Sequence, residues 1–137
     1  MKTFVLGYDD TEPAKRALER TGELAKALDA SVVVVSVAPV LTPAGRGMGP
    51  IDPTDPPELH REELRQAKRV LDEAGVVNDY EVGLGDPADV ILEVAEKRSA
   101  DMIVVGTREP GLISRILGLS VSETVQRRAH CDVLIVR

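Results

Sequence analysis

Aromatic side chains are almost missing from this chain: 137 residues include no tryptophan, one phenylalanine and two tyrosines. A protein that grips single-stranded nucleic acid by stacking its bases needs a platform of such rings, and none can be assembled here. Positive charge is also scarce, with 17 lysines and arginines against 23 acids and a formal net charge of -6. A phosphate backbone or an anionic membrane surface would be repelled, so neither is expected as a partner. The single cysteine, Cys131, excludes an internal disulfide and is expected to be a buried small hydrophobe. The two histidines, His60 and His130, lack the spacing of a metal site or a nucleophile pair and are expected at the surface. No catalytic residue and no metal-ligand set is read from the chain. No stretch approaches the roughly 20 apolar residues of a membrane-spanning helix. The opening MKTFVLGYDD lacks the long apolar core of a secretion signal. These absences lead to the expectation of a soluble, cytoplasmic protein.

What is present is a globular composition, 43% hydrophobic and 29% charged, in a length that suits one domain over 1–137. The stretch from Asp101 to Ser122 organises it. Met102 to Val105 is an apolar block without polar alternation, as expected of a strand buried on both faces of a parallel sheet. Gly106 ends that strand, and Ser120, Val121, Ser122 and Glu123 read as a helix start with a hydroxyl cap and an acid in the first turn. Such a loop aims backbone N–H groups and a helix N-terminus at the carboxyl end of the sheet, where anions and nucleotides are held.

Read from the beginning, Thr3 to Tyr8 is a strand running into Asp9 and Asp10. A helix follows from about Glu12 to Ala30, with Thr11 as N-cap and Pro13 in the first turn. Its inward face is Ala14, Ala17, Leu18, Thr21, Leu24, Ala25 and Leu28. Val32 to Val35 is a buried strand ending near Val37. From about 38 to 57 periodicity vanishes among six prolines and three glycines. A loop or mobile segment is expected there, with Arg46 solvated. Leu59, Leu64, Ala67, Val70, Leu71 and Ala74 mark a second helix, closed by Gly75. Asp79 to Leu84 reads as an edge strand. Asp86 caps and Pro87 opens a helix to about Ser99, with Ala88, Ile91, Leu92 and Ala95 inward. The final helix runs to about Ala129 and the final strand from Val133 to Val136.

Strands that alternate with helices, with no hairpin signal between them, predict a three-layer, doubly wound, five-stranded parallel sheet in the order 3-2-1-4-5, Rossmann-like, with helices on both faces. The ligand crevice of such a sheet opens where the winding reverses, between the first and fourth strands. Asp9 and the loop after Gly106 then face one another. The Asp9 carboxylate either accepts hydrogen bonds from a ribose or base, or lies near a magnesium ion, or caps the next helix.

The Asp9–Asp10 pair and Thr107 resemble the acidic pair and hydroxyl of phospho-accepting receiver domains. That likeness fails at two places: Asp86 is better explained as a helix cap, and no lysine ends the fifth strand. Over nearly the whole chain the sequence resembles the universal stress protein family instead. VLGYDDTEPAKRALERTGELAKALDASVVVVSV, GDPADVILEVAEKRSADMIVVGT and CDVLIVR match that family's opening, middle and closing segments. The resemblance implies a crevice in which Gly7, Tyr8, Asp9 and Val37 line the base and ribose side. It places Gly106, Arg108, Ser120, Val121 and Ser122 along the phosphate loop.

Nucleotide-binding members of that family carry glycine, two residues, glycine, nine residues, glycine, then serine or threonine. Here Gly106 and Ser120 keep the outer positions, while Glu109 and Leu119 replace the other two glycines. Leucine blocks a close backbone approach, and the acid stands where β- and γ-phosphates would lie. Two like charges at about 4 Å repel by roughly 4 kcal/mol at an effective dielectric of 20. Gly111 and Gly118 lie near the lost positions, as a shifted loop would need, and Arg108 or Arg115 is the nearest charge that could offset the acid. Adenosine, AMP or no ligand is therefore expected ahead of ATP. The expected function is a non-catalytic stress-response homodimer pairing through Val133, Leu134, Ile135 and Val136, with unidentified protein partners. The alternative is an ATP- or AMP-binding switch, or a slow ATPase, using magnesium.

Overall fold

The computed structural model describes residues 1–9, 11–38, 57–107 and 121–137. Across them, strands β1 (Lys2–Gly7), β2 (Ala30–Ala38), β3 (Asn78–Leu84), β4 (Met102–Gly106) and β5 (Asp132–Val136) alternate with helices. These are α1 (Glu12–Leu28), α2 (Pro57–Glu73), α3 (Pro87–Lys97) and α4 (Val121–Arg128). The strands form one parallel sheet in the order β3-β2-β1-β4-β5, as the sequence leads one to expect. Val5 sits at the centre, level with Val33 of β2 and Ile103 of β4.

The apolar runs build the three layers because successive strand residues face opposite ways. Phe4, Leu6, Val32, Val34 and Val104 turn toward Ala14, Ala17, Leu18 and Ala25 of α1 and Leu64, Ala67 and Leu71 of α2. Val5, Val33, Val35, Ile103 and Val105 turn toward Ala88, Ile91, Val94 and Ala95 of α3 and Val125 of α4. These ten strand residues are at most 3% exposed. Each contributes about 1.5–3 kcal/mol relative to a solvent-exposed side chain, and this double burial is why the runs do not alternate with polar residues.

Helix ends follow local chemistry. Thr11 caps α1, its hydroxyl oxygen accepting from the Ala14 N–H at 3.3 Å, and Asp86 caps α3 by accepting from Asp89 N–H at 3.1 Å. Gly75 follows α2 at φ 74°, the left-handed conformation that glycine adopts freely.

Several expectations are corrected. The first helix stops at Leu28 rather than Ala30, because Asp29 turns left-handed at φ 53° and Ala30 already pairs with Lys2. Leu28, at that terminus, is 49% exposed, and Val70 of α2 is 40% exposed, so neither belongs to an inward face. The third helix ends at Lys97, with Ser99 at positive φ. Cys131 is only partly buried. His130 is exposed as expected. Of the expected loop, Ala38 instead closes β2 and Pro57 opens α2; residues 39–56, Asp10 and residues 108–120 lie outside the described residues. Among the described residues no helix is long and apolar enough to cross a membrane.

Candidate functional site

The switch point falls between β1 and β4, which pair through Leu6 and Val104. Beyond it the first feature is a local capping chain. Asp9 Oδ1 accepts the Thr11 N–H at 3.1 Å and also the Thr11 hydroxyl. The Thr11 oxygen in turn receives the Ala14 N–H. A residue needed to start α1 is thus held by the carboxylate at the mouth of the crevice. Asp9 is therefore not itself the cap of α1, which is Thr11; its carboxylate supports that cap, and these bonds help fix where it stands.

Gly106 lies against this cap. A Cβ there would stand 2.6 Å from both Pro13 C and Pro13 O and 3.0 Å from Ala14 N. The first turn of α1 therefore rests on the end of β4, and only glycine leaves room. This reason for Gly106 is independent of any ligand, and the sequence reading missed it. The available signal was the pairing of a strand-ending glycine with a proline in the first turn of the helix that must cross over it.

Gly7 is also tight, its absent Cβ being 2.7 Å from Ile91 Cδ1. Tyr8 donates its N–H to Val35 O at 2.8 Å. Its side chain, 5% exposed, packs in the core under α1 and α2, so any face it offers to the crevice is backbone. Val37 is partly buried against the opposite core. It lies two residues past Val35, as Asp9 lies two past Gly7, and Gly7 and Val35 are register partners. Val121 and Ser122 open α4, with Ser122 8% exposed. The acid in the first turn of α4, Glu123, and its last-turn Arg127 and Arg128 suit the helix dipole. The structure therefore brings Asp9, the α1 N-terminus and Gly106 together; Arg108 and Ser120 lie outside the described residues.

A depression of about 300 Å³ opens at the amino ends of β4 and β5, the far end of the sheet from the switch point. Leu92, Ala95, Ile103 and Ala129 line it, along with Cys131. Burial pushes the Cys131 thiol above its ordinary range, with Asp132 and Asp101 adding to the effect, so it is not an activated nucleophile. Among the described residues no cluster of three or more His, Cys, Asp or Glu could hold a metal ion.

A parallel doubly wound sheet with a capped helix and a glycine meeting at its switch point defines the Rossmann-like class of α/β proteins. Within that class the match is specific: the universal stress protein family model covers residues 1–137, and the chain belongs to this family. It is 35% identical to the universal stress protein MJ0531 of Methanocaldococcus jannaschii, covering 99% of this chain and 82% of that one. It is 29% identical to the stress response protein NhaX of Bacillus subtilis, over 98% and 96% of the two chains. Among solved structures, a universal stress protein in complex with cAMP superposes with TM-score 0.78 at 27% identity, covering 99% of this chain and 97% of the other. One from Archaeoglobus fulgidus in complex with dAMP gives 0.75 at 23% identity, over 100% and 98%, a likeness that speaks for the fold alone.

Proposed function

We propose that this chain is a non-catalytic, cytoplasmic stress-response homodimer whose crevice accepts an adenine nucleoside monophosphate in preference to ATP. The observation that carries this reading is the loop composition: Gly106 is kept, while Glu109 and Leu119 stand at the other two glycine positions of the family's nucleotide loop. By the family motif the acid falls where β- and γ-phosphates would lie, and a monophosphate has neither. The charge term alone, up to about 4 kcal/mol, corresponds to roughly a thousandfold in affinity. The cAMP complex of a 27% identical relative supports an adenine ligand with a single phosphate.

On this reading Gly7, the Tyr8 backbone, Asp9 and Val37 face the base and ribose, with Asp9 preorganised by Thr11. Gly106, Arg108, Ser120, Val121 and Ser122 face the phosphate. The dimer forms through β5, whose Val133, Leu134 and Ile135 are only partly buried. Calorimetric titration of purified protein with AMP and with ATP tests the preference. AMP is expected to bind at least about tenfold more tightly; tighter binding of ATP, with phosphate release, would favour the switch or slow-ATPase reading instead.

A further inference from the structure

A five-stranded open sheet has two edges, and here they are finished differently. Val77 O accepts the Val32 N–H at 2.9 Å. Alternation along β3 then turns the N–H and C=O groups of Asn78, Tyr80, Val82 and Leu84 away from β2, toward the outside. The side chains at the same positions include three large apolar groups left in the open: Tyr80 at 49%, Val82 at 37% and Leu84 at 54% exposure. Exposed apolar side chains beside unpaired backbone groups form a template for another strand.

One of those outward donors is not available. Asp79 reaches around the edge, and its Oδ1 accepts the Tyr80 N–H at 2.8 Å. Its Oδ2 is held by Arg98 Nη2 at 2.9 Å. Arg98 comes from the C-cap of α3, and its Nε binds Glu81 Oε2 at 2.9 Å, while Lys97 Nζ binds Glu81 Oε1 at 2.6 Å. The bond from Arg98 holds the Asp79 carboxyl below its ordinary pKa. Burial opposes ionisation of Glu81, but the Lys97 and Arg98 bonds outweigh it. Four charged side chains from β3 and α3 are thus clamped along this edge.

At β5, Thr107 N–H donates to Val136 O at 2.9 Å, so the outward groups belong to Val133, Ile135 and Arg137. Arg16 Nε occupies Arg137 O at 3.0 Å. Among the described residues, no side chain bonds the backbone of Val133 or Ile135; the same is true of Val82 and Leu84 at the carboxyl half of β3, so the difference between the edges lies at Tyr80 and in the charges around it.

We propose that the Asp79–Arg98–Glu81–Lys97 cluster guards the amino half of β3 against strand addition, by taking the Tyr80 N–H and setting four charges along that edge, so that pairing with a second copy is directed to β5. The cluster thereby limits assembly to a closed pair. A chain with two open edges would instead propagate head to tail. The part of this inference that concerns β3 stands on the geometry above; the part that concerns β5 rests on the proposed dimer.

The test is light scattering of the full chain across a hundredfold range of concentration, for wild type, Asp79→Ala, Arg98→Ala and Asp79→Asn. Circular dichroism confirms that each variant is folded. Wild type is expected to hold one mass. Asp79→Ala and Arg98→Ala are expected to gain mass with concentration, about twofold or more above wild type. Asp79→Asn, which keeps an acceptor for the Tyr80 N–H, is expected to gain less. Adding Val82→Lys to Asp79→Ala is expected to abolish the gain. If folded Asp79→Ala and Arg98→Ala both keep the wild-type mass at every concentration, the edge-guarding role is wrong. A monomeric wild type would refute the β5 dimer without touching this comparison.

Discussion

Replacing Gly106 with alanine separates the packing role of this residue from any ligand role. The added Cβ would stand 2.6 Å from the Pro13 carbonyl carbon and oxygen and 3.0 Å from Ala14 N. These are backbone atoms of a helix turn fixed by the Thr11 cap and by the Lys15 N–H to Thr11 O bond at 3.0 Å, so no side chain can swing aside. Relief requires α1 to withdraw from β4 by close to an ångström, loosening Ala14, Ala17 and Leu18 against Phe4, Leu6 and Val104. Overpacking costs about 1–3 kcal/mol, and a rigid neighbour puts this case near the top, at about 3 kcal/mol. For a chain of this length that lowers Tm by roughly 10 °C. Gly7→Ala is the matched control, because its Cβ meets Ile91 Cδ1 at 2.7 Å, the end of a side chain that can rotate, and about 1 kcal/mol is expected. Thermal unfolding without nucleotide reads both. A Gly106→Ala protein within about 2 °C of wild type, or one more stable than Gly7→Ala, would refute the packing argument.

Two further outcomes are expected. Val133→Glu or Ile135→Glu, which puts a charge on the proposed pairing strand, should leave a monomer by light scattering; an unchanged dimer would place the interface elsewhere. The Asp79 and Glu81 carboxyls lie below their ordinary values of 3.8 and 4.5 in the folded protein. Their stabilisation is therefore complete above those values and is lost as pH falls through the depressed ones. The urea midpoint should consequently be steady from neutrality to about pH 5 and fall below it, less steeply in Arg98→Ala than in wild type. Because Asp79 is 57% exposed at its side chain, the difference between the two should stay below about 1 kcal/mol, and identical slopes would show that the cluster is not titrating.

The layer order was legible because β-branched runs such as Val32–Val35 and Met102–Val105 admit few placements other than a doubly covered strand, and because Thr11, Asp86 and Gly75 mark helix ends by local chemistry alone. Leu28 and Val70 misled because spacing shows that a residue fits an apolar stripe, and only packing shows where the neighbouring layer ends. At the site, Asp9 and Gly106 were found by their position after strands. The reason for Gly106 depends on how closely α1 crosses β4, which no local pattern encodes. The same holds for the clamp at the β3 edge: Asp79 and Glu81 read as ordinary polar residues of a weakly alternating strand until the end of α3 brings Arg98 and Lys97 beside them.

The most direct test of the account is the ATP dissociation constant of the chain carrying Glu109→Gly and Leu119→Gly together, measured by calorimetry beside wild type and with AMP as the reference ligand. The account predicts that ATP binding tightens by at least about tenfold while AMP binding stays unchanged. An ATP constant equal to that of wild type would contradict it.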